Sequence, residues 1–270
     1  MVRMPFTVSH AAAVLPLHAL SKSRLPLSAL MIGSMSPDFS YFVPQYAGVP
    51  THSIEGLFSF CWPAGLAAWL LFVCVLQRPT IALLPRAWQP SFPPTAEKIT
   101  VSMLALASVS ILMGAATHVL WDSFTHARTP VVDAIPQLRT MVQVGPATIR
   151  LSNLLQHVST IFGLAVLAFW SMSRLRRRAT ASDAVHRPPP HHLSNAVRVG
   201  AAVMVLASSS AAAFANYAPY SHVRLESRLY HFAIGGMAGW AVAWTLIALA
   251  ITWKWRASQA RVQEMDRITG

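Results

Sequence analysis

The chain has 270 residues, of which 54% are hydrophobic and only 11% charged, and its mean hydropathy is +0.46. A soluble chain carries about 25% charged residues, so nine Asp and Glu cannot cover a globular surface, and disorder would need the opposite composition. What remains is an all-α polytopic membrane protein with the lipid bilayer as its first partner. The net charge of +12 does not indicate nucleic acid, because the basic residues sit in short clusters between apolar runs instead of gathering on one face. Such clusters are membrane flanks.

The first 56 residues hold two apolar stretches too short to cross a bilayer, which takes about 20 residues. Ala11 to Leu17 is interrupted at Pro16, and Leu25 to Met35 stops at Ser36-Pro37-Asp38. Both are read as short re-entrant or interfacial helices, and no small-residue cleavage site marks a signal peptide. Five longer segments follow: Leu57 to Gln77, Thr100 to Trp121, Asn153 to Ser173, Val197 to Tyr217, and Phe232 to Trp253. The fourth is rich in Ala and Ser around 208–213, suiting close helix packing. The fifth closes with Trp253 and Trp255 beside Lys254 and Arg256, an interfacial belt. Pro85 to Pro94 and Arg187 to Pro190 are loops by their proline content. The chain divides into an outward-facing segment 1–56, a helix bundle 57–253 and a basic tail 254–270.

Eight of the 21 Lys and Arg fall on the side shared by the N-terminal segment and the second and fourth loops: Arg3, Lys22, Arg24, Arg128, Arg139, Arg150, Arg224 and Arg228. The other 13 include Arg174, Arg176, Arg177, Arg178 and the tail, which places the C-terminus in the cytoplasm. Cys61 and Cys74 share the first span and stand roughly 20 Å apart at 1.5 Å per residue, beyond disulfide reach.

Histidine is distributed unevenly. His186, His191 and His192 lie in the proline-rich cytoplasmic loop, whereas His10, His18, His52, His118, His126, His157, His222 and His231 lie outward with Asp38, Glu55, Asp122, Asp133 and Glu226. Ionisable groups at such depths default to a functional reading. His118, Asp122 and His126 stand four residues apart, a polar stripe on one helical face, with no helix breaker before Thr129-Pro130. His118 and Asp122 can chelate one ion from consecutive turns. His126 lies too far along a straight helix for the same ion, so either Asp122 bridges two ions or His126 stands behind the ligands. His10, Asp38 and His52 are the remaining candidate ligands. Imidazole with carboxylate suits zinc, manganese or iron, zinc first, and the lack of paired thiolates argues against a closed structural zinc site. Glu55, one turn after His52, is the candidate general base. His157 has a second-line or packing role, His231 stands nearer the site than His222, and His18 is a surface residue. An interfacial helix end with ordinary solvated histidines would carry the same stripe.

Met4-Pro5-Phe6-Thr7-Val8-Ser9-His10-Ala11, Leu25-Pro26-Leu27-Ser28-Ala29-Leu30, Gly33-Ser34-Met35-Ser36-Pro37-Asp38-Phe39 and Thr51-His52-Ser53 together resemble the domain-of-unknown-function family 4184. Its members are bacterial integral membrane proteins, which implies the bacterial cytoplasmic membrane and points to Met4 as the original start. A more distant likeness is to YdjM-type membrane-bound metal-dependent hydrolases, themselves likened to zinc-dependent phospholipases C. Their pattern of an early His, a Pro-Asp, a Thr-His-Ser before a span and a His-x-x-x-Asp falls here on His10, Asp38, His52, His118 and Asp122. The chain departs from that pattern in having Val49-Pro50 before Thr51 where a basic residue is common, which bears on substrate binding more than on metal.

The resulting expectation is a metal site of His10, Asp38, His52, His118 and Asp122, with Glu55 and His126 as catalytic groups. It would serve a hydrolase of a phosphoester or lipid headgroup that uses metal-activated water. The alternatives are a non-catalytic metal-binding or structural membrane protein, or a transporter. Transport is disfavoured because the middles of the spans hold no acid or base.

Overall fold

A computed structural model describes residues 7–42, 49–85, 88–89, 98–127, 129–182, 193–220 and 222–269. Met4, Arg128, most of the two proline loops, and His186, His191 and His192 lie outside the described residues. Among the described residues the regular structure is helical apart from one small hairpin. Five helices among them are long and apolar enough to cross a membrane, making this an integral membrane protein. They are Ile54–Leu83, Val101–Thr125, Leu151–Ser182, Asn195–Tyr217 and Leu225–Thr269, here called the first to fifth spans. Each contains or closely overlaps the corresponding apolar segment in the sequence. The fifth runs on without a break through 254–269. Its 45 residues extend about 68 Å at 1.5 Å per residue, far beyond a hydrocarbon core of roughly 30 Å.

Two compact units form, one from Phe6–Trp69 with Lys98–Met172 and one including Leu70–Glu97 with Ser173–Gly270. In the second unit, the fourth and fifth spans pack through small residues, as the Ala and Ser content suggested. Ser209 Oγ donates to the Gly236 carbonyl at 2.6 Å, and a Cβ on Gly239 would come within 2.7 Å of the Ser208 carbonyl.

The first unit holds the candidate site. A 3-10 turn at Thr7–Ala12 leads into α1 (Leu15–Leu20). Pro16 opens α1 in its first turn, instead of interrupting the apolar stretch, because a missing N–H costs nothing there. Lys22 and Ser23 turn the chain at positive φ into α2 (Leu27–Met35), which passes directly into a 3-10 helix at Ser36–Phe42. The first span contains two widened, π-helical turns, at Leu57–Cys61 and Phe72–Leu76. Pro63 and Pro79 follow closely after them, where a regular turn would press the proline ring against the carbonyl four residues back. Between the second and third spans the sequence showed only a loop. The structure has a hairpin there, β1 (Met141–Val144) antiparallel to β2 (Ala147–Arg150), with Met141 opposite Arg150. Gly145 supplies the positive φ its turn needs.

The closest helix approach in this unit is α2 against the second span. A Cβ at Gly33 would collide with the backbone of Ile111, and one at Gly114 with the backbone of Leu30 and Ser34. Gly114 stands one turn before His118, so this crossing sets how far the α2 backbone lies from the site. Overpacking of a tight contact costs about 1–3 kcal/mol. Gly114→Val is expected to lower thermal stability in detergent by that amount and to weaken metal binding. Gly200→Ala, where a Cβ meets open space, should do neither.

Candidate metal centre

Four segments that are distant in sequence converge at one end of the first unit. His10 comes from the N-terminal 3-10 turn, which lies against the third span: a Cβ on Gly163 would come within 2.7 Å of the Ser9 carbonyl. Asp38 sits in the 3-10 helix after α2. His52 stands just before the first span, whose start is capped by Ser53 Oγ accepting from Gly56 N at 3.0 Å. His118 and Asp122 occupy the last two turns of the second span. His126 follows as the residue that ends that helix.

The second span stops at Thr125 instead of running to Thr129, and His126 has an extended backbone, φ −98° and ψ 131°. Thr129 Oγ accepts from Val132 N and starts a new short helix with Pro130. His126 Nδ1 nonetheless lies 3.4 Å from Asp122 Oδ2, the neighbour contact that their four-residue spacing led one to expect.

Asp122 is the hub. Its Oδ2 lies 3.4 Å from His52 Nε2 and 3.3 Å from His118 Nε2, and its Oδ1 lies 3.5 Å from His10 Nε2. Asp38 Oδ1 lies 3.3 Å from His52 Nε2 and 3.7 Å from His118 Nε2. The two imidazole Nε2 atoms of His52 and His118 face each other at 3.3 Å. The His10 ring stacks on His118 with centroids 3.8 Å apart. Two sets of donor atoms each fall within 4.8 Å of one another: His10, His118 and Asp122, and Asp38, His52 and His118. Both sets can hold a metal ion.

The hydrogen inventory tests the fit. His118 Nδ1 lies 2.7 Å from the Ser34 carbonyl, which only accepts, so the proton of the neutral ring is on Nδ1. His118 Nε2 is then a bare lone pair aimed at two carboxylates and a second imidazole. Burial opposes charge on His52, but its hydrogen bonds to Asp122 and Asp38 prevail and raise its pKa to about 9. Its single Nε2 proton therefore serves several acceptors at once, and a cation would serve them all. Ligand atoms 2.0–2.1 Å from a tetrahedral zinc lie about 3.3–3.4 Å apart. The triangle of His52 Nε2, His118 Nε2 and Asp122 Oδ2 has edges of 3.3, 3.4 and 3.3 Å, matching three such ligands. The outer bonds also resemble those behind metal ligands: Thr51 Oγ1 lies 3.0 Å from His52 Nδ1. Burial and the nearby His118 lower the His10 pKa to about 4, leaving that ring neutral and able to coordinate.

The centre is closed on one side and open on the other. The His118 side chain is 0% exposed, whereas those of His52 and His126 are 26% and 24% exposed. Glu55, expected as the base, is exposed on the first helical turn and touches none of these groups in any described contact. It occupies the usual place of an acid at a helix N-terminus. His157 is exposed rather than turned inward. Its neighbour Gln156 takes the inward position, with Nε2 donating to His126 Nε2 at 3.3 Å. Thr51, Ser34 and Gln156 were all missed in the sequence because they carry no ligand chemistry of their own. His18 Nδ1 lies 2.9 Å from the Leu25 carbonyl and ties α1 to the start of α2. His231 stacks on Tyr220, and His222 and Asp133 are exposed. The Glu226 side chain lies outside what is described.

The His52 shift fixes a pH dependence for the ion-free protein. A raised pKa means that the stabilisation by the His52 ion pairs is fully present below the ordinary value of 6.5 and is lost as pH rises through about 9. The melting temperature of chelator-treated protein should therefore fall between pH 6.5 and 9, and His52→Gln should flatten that decline. His10 titrates below this window and does not obscure it.

No curated protein and no solved structure matches the chain. A family model matches residues 4–253, nearly the whole length and all five candidate ligands of the centre, though its description names no activity. The chain belongs to the family described as domain of unknown function DUF4184.

Proposed function

We propose that the protein is a membrane-embedded, metal-dependent hydrolase, with a phosphoester or a lipid headgroup as its substrate class. The observation that carries this reading is Asp122 Oδ2, surrounded by three imidazole nitrogens at 3.3–3.4 Å while the His118 proton is committed to Ser34. His52, His118 and Asp122 are the first ligands of a divalent ion, zinc before manganese or iron, with Asp38 and His10 completing the set. A bound ion of this kind supplies Lewis acidity and activates water at neutral pH. His126 stands beside Asp122 at the open margin and is the group that handles the proton there, a role for which Glu55 has no supporting contact. The likeness to YdjM-type hydrolases selects the same five ligands and supports the reaction class by analogy. The position of the centre, at the ends of three spans, suits a substrate presented at the membrane surface. The Lys and Arg distribution supports a C-terminus in the cytoplasm, and the resemblance to bacterial integral membrane proteins supports the bacterial cytoplasmic membrane.

A second reading is favoured by a specific observation, the burial of His118, Asp38 and Asp122. A closed ion site of that kind could simply hold the N-terminal segment onto the spans.

Elemental analysis of detergent-purified protein separates these readings from each other and from no metal at all. About one or two zinc ions per chain are expected, lost in His118→Ala and Asp122→Ala variants that remain monodisperse. The hydrolase reading further requires that the loaded protein cleave an activated phosphodiester or a phospholipid, that chelation abolish this, and that zinc restore it. Metal without any hydrolysis favours the closed site. No ion after metal supplementation overturns both.

A further inference from the structure

The role of Gln156 follows from which atoms around His126 can donate and which can accept. His126 Nδ1 faces Asp122 Oδ2 at 3.4 Å, and a carboxylate oxygen accepts. His126 Nε2 faces Gln156 Nε2 at 3.3 Å, and an amide nitrogen only donates. Both ends of the ring therefore call for the same neutral tautomer, protonated on Nδ1 and bare on Nε2. In free imidazole side chains the preference runs the other way, so the protein has to impose this form.

Gln156 is well placed to impose it. Among the described residues of the third span only Ser152 and Gly163 are buried, yet its start is docked in the first unit by polar contacts. Trp121 Nε1 donates to Ser159 Oγ at 3.1 Å, joining the residue before Asp122 to the helix turn after Gln156. Ser159 Oγ in turn donates to the Gln156 carbonyl at 3.1 Å. Gly163, one turn further on, lies against Ser9.

We propose that Gln156 is a positioning residue: by donating to His126 Nε2 it holds the ring in place with its proton on Nδ1, against Asp122. This rests on the metal-centre reading for its purpose but not for its geometry, and the two can be tested separately.

The test is nitrogen-15 NMR of histidine-labelled protein in detergent, with the His126 ring assigned by its loss in His126→Asn, beside zinc titrations of the same samples. In the native protein His126 is expected as the Nδ1–H tautomer. In Gln156→Leu, which is of similar size but cannot donate, that tautomer should lose its dominance, and zinc affinity should fall, by less than the roughly 10–100-fold cost of removing a ligand's own partner. Gln156→Glu, whose carboxylate accepts, should protonate both ring nitrogens, one against each carboxylate. A native His126 protonated on Nε2, or a Gln156→Leu protein with unchanged tautomer and zinc affinity, overturns the proposal. The native spectrum decides even if neither variant folds. A native protein that binds no zinc but shows the Nδ1–H form defeats the metal reading and leaves the positioning role standing.

Discussion

The hydrogen bond from His118 Nδ1 to the Ser34 carbonyl, at 2.7 Å, is the contact on which the rest of the centre depends. It takes up the Nδ1 proton of a fully buried imidazole, so that in the neutral ring Nε2 is the nitrogen with the lone pair. It also requires the backbone of α2 to reach a side chain on the second span, and two glycines make that possible. Gly33 and Gly114 remove the side chains that would hold the helices apart, and His118 is the next residue on the Gly114 face. Helix packing by small residues is ordinary in membrane proteins. Here it fixes a tautomer.

Around that nitrogen the donor atoms are arranged unevenly. Asp38 and Asp122 are nearly buried, where unpaired carboxylates are costly, and each is met by imidazoles from other segments. No two of the five candidate ligands other than His118 and Asp122 share a helix. The N-terminal segment is therefore part of the machinery rather than an appendage. The deep side of the cluster is sealed by α2, while the rings of His52 and His126 remain partly accessible.

Much of this was legible from residue types. A run of about 20 apolar residues announces a span whatever its neighbours do, and five such runs became five helices. His118 and Asp122 could be paired from their spacing alone. Other features depended on tertiary context. Nothing in Thr125-His126-Ala127 marks a helix end, yet the chain leaves the helix there. On the third span, histidine chemistry drew attention to His157, but helix rotation turned Gln156 inward. Glu55 has the right spacing from His52 on a helix, but His52 precedes the helix, Ser53 caps it, and Glu55 is exposed. The short hairpin between the second and third spans has no strong strand pattern, and only its Gly145 turn hints at it.

In the proposed centre, imidazole and carboxylate groups from separate segments hold a single kind of divalent ion. X-ray absorption spectroscopy at the zinc edge of the loaded protein reports the atoms bound to the metal. Nitrogen and oxygen neighbours are expected at about 2.0–2.1 Å with multiple scattering from imidazole rings, weakened in His52→Ala and His118→Ala. A sulfur neighbour at about 2.3 Å, or a shell without imidazole scattering, would contradict that coordination.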